Sequence, residues 1–166
     1  MRFHGQHVDR PSARAQLLHQ AVLEIQPRPL WITGISLGGM GAALYARAHP
    51  GAVAGLLLLA PFFAVRGTIA EVTRAGGLET WQPGAIAPED DERALLAWLK
   101  GWRAPGGPAI WLGYGLQDRY APASALLAAR LAGEHVLTMP GGHDWPTWQA
   151  LWPGMLAAAG PALIRD

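Results

Sequence analysis

The chain of 166 residues has no cysteine, so no disulfide framework can stand in for a hydrophobic core and no thiolate is available as a metal ligand. Lysine is nearly absent too: Lys100 stands alone, and the other basic residues are arginines placed singly from Arg2 to Arg165. With 13 Lys+Arg against 12 Asp+Glu the formal net charge is +1, and no basic stripe marks a nucleic-acid partner. Long apolar runs are missing as well. The longest, from Val53 to Pro61, is far below the roughly 20 residues that a bilayer span requires, which excludes a membrane helix. The first residues, Met1-Arg2-Phe3-His4-Gly5-Gln6-His7, turn polar at once and carry no leader pattern, so the expected setting is cytoplasmic.

What is present is a hydrophobic content of 51%, enough for one globular domain over 1–166 that buries about two-thirds of its open-chain surface. The 21 glycines and 14 prolines punctuate it. Within 1–29, Ser12 caps a predicted helix to about Ile25, stopped by Pro27 and Pro29. Leu30–Ile35 reads as a buried strand, about Gly39–His49 as a helix, and Val53–Leu59 as a second, wholly apolar strand of the kind found in parallel sheets covered on both faces. Helices are expected over about Gly67–Ala75, Asp90–Lys100, Ala123–Leu131 and Trp145–Ala159, and strands over Ala109–Tyr114 and His135–Thr138. This alternation predicts an α/β fold, a three-layer sandwich with a mainly parallel sheet. The acidic run Glu89-Asp90-Asp91-Glu92 suits a helix N-terminus better than a metal site. His4 and His7 lack the partners a metal would need.

In such sheets chemistry gathers beyond the carboxyl ends of the strands, and three loops there carry reactive residue types. In Gly34-Ile35-Ser36-Leu37-Gly38-Gly39 a strand turns directly into a helix, with glycines two residues either side of a serine. Small flanking residues permit a tight turn that lifts the hydroxyl into the open, and the Leu37 N–H at the helix start faces an incoming oxyanion. Asp118 follows the third strand; it can orient an imidazole, or cap its own turn and the helix starting near Pro122. His143, in Pro140-Gly141-Gly142-His143-Asp144-Trp145, supplies a side chain that exchanges protons near neutral pH, while Asp144 suits the cap of the final helix.

Serine, then aspartate, then histidine, each after a strand, is the chain order of α/β-hydrolases, and from about Leu30 to Trp152 the chain resembles the serine esterase and lipase-like members of that superfamily. The stretch from Gly142 to Trp148 is also similar to the histidine loop of esterases related to esterase D. The resemblance implies Ser36 as nucleophile, His143 as general base and acid, Asp118 as the residue holding the imidazole, and Leu37 as donor of one oxyanion-hole N–H. It further implies a small-molecule ester as substrate and neither metal nor organic cofactor.

The superfamily carries several strands before the serine, whereas 35 residues precede Ser36 here, so the expectation is a shortened α/β-hydrolase fold whose strand Leu30–Ile35 becomes a sheet edge. The N-terminal segment or a second copy of the chain would cover that edge, the latter giving a homodimer. Phe3-His4-Gly5 superficially resembles the loop that supplies a second oxyanion donor, but it lies too near the serine for the usual intervening strand and helix. Trp145, Trp148 and Trp152 share one helix face, which serves either core packing or an aromatic wall for an acyl group beside His143. Residues 67–104 occupy the place of a lid or cap, where Ile69, Val72, Leu78 and Trp81 either cover an apolar substrate or pack in the core. A non-catalytic module that dimerises through its open edge is the alternative to an esterase.

Overall fold

The computed structural model describes residues 29–103 and 106–164. The predicted helix at Ser12–Ile25 and the Phe3-His4-Gly5 stretch lie outside them. Four strands, β1 (Leu30–Ile35), β2 (Val53–Leu59), β3 (Ala109–Gly115) and β4 (Val136–Met139), form one sheet in the order β1-β2-β3-β4, and every pairing is parallel. Helices α1 (Leu37–Ala48), α2 (Arg66–Arg74), α3 (Asp91–Gly101), α4 (Ala121–Ala128) and α5 (Trp145–Leu163) connect and flank the strands. The fold class is therefore the predicted one, with an apolar cluster on each face of the sheet.

The period of two along the central strands decides which residue faces which layer. On one side Leu56 and Leu58 of β2 and Ile110, Leu112 and Tyr114 of β3 meet Ala42, Ala43 and Tyr45 of α1, Leu95, Leu96 and Leu99 of α3, and Leu127 of α4. On the other side Leu57, Leu59 and Trp111 meet Leu151, Met155 and Ala159 of α5. Burying each such leucine contributes about 1.5–3 kcal/mol, so the two central strands anchor the domain. Burial on both faces is why β2 has no polar residue. Burial also pushes the Tyr45 hydroxyl to a higher pKa.

Local chemistry explains the helix boundaries. Asp90 caps α3 by accepting from the Arg93 N–H, with Asp91 and Glu92 in the first turn, so the acidic run begins a helix as expected. Arg93 then bridges Asp90 and Glu71, tying α3 to α2, and these hydrogen bonds hold both carboxyls below their ordinary pKa. Helix α4 starts at Ala121, two residues earlier than expected, because Pro122 fits a first turn where no N–H is needed. His135 ends a short 3-10 turn, Gly133–His135, instead of opening β4; its Nδ1 lies 3.1 Å from the Ile110 carbonyl and its ring stacks on Trp111. Of the two roles open to Ile69, Val72, Leu78 and Trp81, covering a substrate or packing in the core, all four are found buried in the core, and the Trp81 indole donates to Glu71. Among the described residues no helix is long and apolar enough to cross a membrane, and β1 pairs with β2 alone.

Candidate active site

All three loops open at the carboxyl ends of adjacent strands, and the parallel sheet brings them together. Ser36 links β1 to α1 at φ 51° and ψ −119°, a conformation that ordinarily belongs to glycine. Such a residue costs about 1–3 kcal/mol and persists where its surroundings over-determine it. Here they do: the Ser36 N–H donates to the Leu59 carbonyl, and its own carbonyl accepts from both Gly39 and Phe62. Ala60, just past the end of β2, is the other non-glycine residue with positive φ among the described residues, and its N–H donates to Gly113 at 2.7 Å. Strain is thus confined to two neighbouring strand ends.

The glycines of this turn are not equivalent. A Cβ on Gly34 would lie 2.5 Å from the Gly38 carbonyl oxygen, and one on Gly39 would lie 2.8 Å from the Pro61 Cβ, whereas a Cβ on Gly38 would meet nothing within 4 Å. The expectation of crowding on both sides of the serine is correct for Gly34 and displaced by one residue on the far side, because Gly39 is where α1 passes against the chain leaving β2.

From the next two loops come Asp118 and His143. His143 Nδ1 lies 2.7 Å from Asp118 Oδ2, and its Nε2 lies 2.9 Å from Ser36 Oγ. A carboxylate only accepts, so Nδ1 carries the proton and donates to Asp118; Nε2 then offers its lone pair to the Ser36 hydroxyl. The side chain of Asp118 is 1% exposed and that of His143 9%. The two readings of Asp118 prove compatible, since its second oxygen accepts the Tyr120 N–H at 2.7 Å while the first holds the imidazole. Asp144 plays the predicted capping role, accepting from the Thr147 N–H and hydroxyl, which lowers its pKa and turns its carboxylate to α5.

Several contributors besides Trp148, which its helix-face spacing already singles out, carry no signal in a linear reading. Tyr120 and Trp148 set their rings edge-on to the His143 imidazole, at centroid distances of 4.7 and 5.1 Å, and Phe62 packs edge-on to Tyr120. Gln117 and Gly141 exchange two hydrogen bonds, the Gln117 N–H to the Gly141 carbonyl and the Gly141 N–H to Gln117 Oε1, and so lock the acid-bearing loop to the base-bearing one. Gly115 makes this possible, because a Cβ there would lie 2.3 Å from the Gly141 oxygen. The Leu37 N–H, at the first helical position beside Ser36, has no acceptor within the helix. Of the expected aromatic wall, Trp148 stands against His143 and also packs on both apolar clusters, while Trp145 is 58% exposed and edge-on to Trp148.

Residues 13–94 match the family described as Serine aminopeptidase, S33. No curated protein matches the sequence. Among solved structures, a candidate lipase from Acinetobacter baumannii AYE is similar over 90% of this chain and 66% of its own, with 18% identity and a TM-score of 0.53. The Paleococcus ferrophilus monoacylglycerol lipase is similar over 87% of this chain and 74% of its own, with 16% identity and a TM-score of 0.53. A ferulic acid esterase is similar over 76% of this chain, at 16% identity and a TM-score of 0.49, and this chain spans 50% of its length. At these identities the likeness lies in the fold.

Proposed function

We propose that this chain, an α/β-hydrolase by fold and shorter than the solved structures it resembles, is a cytoplasmic serine hydrolase that cleaves carboxylic esters. The observation that carries this reading is the continuous Ser36–His143–Asp118 hydrogen-bond chain on a serine held at positive φ. Ser36 Oγ attacks the ester carbonyl while Nε2 of His143 takes its proton; the oxyanion meets the Leu37 N–H. Collapse breaks the bond to the alcohol, which leaves with the proton from Nε2. Water, deprotonated by the same nitrogen, then attacks the acyl-enzyme, and the acid departs as the proton returns to Ser36. Leu37, Leu116 and Trp145 support an apolar segment in the substrate, since each is more than half exposed and each lies within two residues of Ser36, Asp118 or His143.

Intact-mass measurement after treatment with a fluorophosphonate tests the assignment. A single adduct is expected on the parent protein and none on Ser36→Ala. An unmodified parent that is fully folded would sink the reading in favour of the second one, a binding module that pairs copies through β1, for which the single neighbour of β1 among the described residues speaks.

The two oxygens of Asp118 allow a finer test. Asp118→Asn keeps an acceptor for the Tyr120 N–H but presents an amide to His143, favouring the tautomer that cannot take the serine proton. A loss of about 10⁴ in kcat with little change in thermal stability is expected. Asp118→Ala removes both interactions and is expected to lower stability as well, by about 1 kcal/mol or more. Equal stability in the two variants would show that the Tyr120 cap contributes nothing.

A further inference from the structure

Beside the site, between α2 and α4, lies a groove of about 520 Å³, within the size range of small-molecule sites. Its floor is apolar, formed by Ala64, Ile69, Ala70 and Ala123. Its rim is cationic. Arg66 and Arg74 stand at the two ends of α2, about 12 Å apart along the axis, and Arg119 faces them from the Asp118 loop. All three are exposed, and none has a carboxylate partner within 4 Å among the described residues. Glu71, one turn from Arg74, spends its carboxylate on Arg93 and the Trp81 indole; Asp118, at the groove wall, turns its oxygens to His143 and Tyr120. Asp118 and Tyr120 are walls shared by the groove and the site; the Tyr120 ring carries the Arg119 guanidinium 5.0 Å above it and meets the His143 imidazole edge-on.

We infer that this groove binds an oxyanion group carried by the substrate, so that the esters cleaved at Ser36 bear a second, ionised acid group. The inference rests on the serine hydrolase reading for its chemistry, but the groove's affinity for anions is separable from it. Three exposed guanidiniums without a carboxylate partner among the described residues surround an apolar floor; Arg74 spends its Nε–H on the Ala70 carbonyl and Arg119 lies over the Tyr120 ring. Together they fit a short hydrocarbon segment ending in a carboxylate or a phosphate, which a guanidinium grips through paired N–H donors.

The test compares 4-nitrophenyl hemiglutarate with neutral 4-nitrophenyl butyrate at low ionic strength, using the parent and Arg66→Gln/Arg74→Gln. In parallel, calorimetry measures glutarate and glycerol 3-phosphate binding to the same two proteins. The parent is expected to prefer the hemiglutarate by about ten-fold or more in kcat/KM, and the double variant to lose most of that ratio. The preference should shrink as salt is added. A ratio near one in the parent, or an equal ratio in both proteins, overturns the inference. If neither ester is turned over, the hydrolase reading fails by itself and binding decides. Glutarate or glycerol phosphate retained by the parent and lost by the double variant supports the groove, the tighter ligand identifying the acid, whereas absent or equal binding overturns it.

Discussion

Ester turnover by Ser36→Ala is expected to fall by about 10⁴-fold or more, and the double variant Ser36→Ala/His143→Ala to fall no further than either single variant. The reason lies in the 2.9 Å contact between Oγ and Nε2. Without the imidazole the hydroxyl keeps its proton and is a poor nucleophile; without the hydroxyl the imidazole has nothing to activate. The two groups act as one device, so removing the second part after the first changes little. Residual activity would come from substrate binding and the Leu37 N–H. Stability should be nearly unaffected by Ser36→Ala, because alanine keeps the Cβ and the backbone bonds to Leu59, Gly39 and Phe62. Steady-state kinetics with 4-nitrophenyl butyrate and thermal unfolding of all four proteins check this. Losses that multiply in the double variant would mean that Ser36 and His143 contribute independently, and the hydrolase mechanism would be wrong.

Much of this arrangement is legible in the sequence, and the rest is hidden for identifiable reasons. β2 occupies the predicted residues because a strand buried on both faces must be apolar throughout, which leaves an unbroken run, and β1, half-buried with Thr33 exposed, is marked by the turn residues Pro29 and Gly34 on either side of its apolar positions. Ser36, Asp118 and His143 stand out because each reactive residue type follows a predicted strand. Trp148 is legible too, through the helix face it shares with Trp145 and Trp152 next to His143. Tyr120 and Phe62 are not, since an aromatic residue near a strand end is equally at home in a core, and nothing local marks Tyr120 as a ring that meets His143. The Gln117–Gly141 bonds join residues 24 apart, and their partners become apparent once the loops are seen side by side. The four apolar residues between 69 and 81 illustrate the same gap. Their apolar character suits burial against a substrate or against the protein, and the choice depends on tertiary contacts; the structure buries all four, with Ile69 also flooring the arginine groove. The arginine groove, assembled from positions 66, 74 and 119, has no linear signature at all.

Gly34→Ala is expected to destabilise the domain by about 1–3 kcal/mol or more and to lower turnover by about 10²-fold beyond the loss of folded protein, whereas Gly38→Ala is expected to leave stability unchanged or raise it by up to about 1 kcal/mol. Both glycines belong to the same motif around Ser36, and a motif argument treats them alike. Packing separates them. At Gly34 the new methyl would meet the Gly38 carbonyl oxygen at 2.5 Å and the Gly39 Cα at 2.6 Å, both backbone atoms of the first turn of α1, which can yield only by moving the helix away from β1. Ser36 lies between these two segments, so such a movement displaces Oγ from the 2.9 Å contact with Nε2. At Gly38 the methyl points into open space on a helix, where alanine is the better helix former. Gly39→Ala falls between, because the methyl would press on Pro61 at 2.8 Å, a side-chain atom whose own chain leaves β2 through the strained Ala60. Thermal unfolding and kcat/KM for the three variants rank them. If Gly34→Ala were as stable and active as the parent while Gly38→Ala was impaired, the crowding that fixes the nucleophile would have to come from the far side of the turn, and the account of why Ser36 tolerates its positive φ would fail with it.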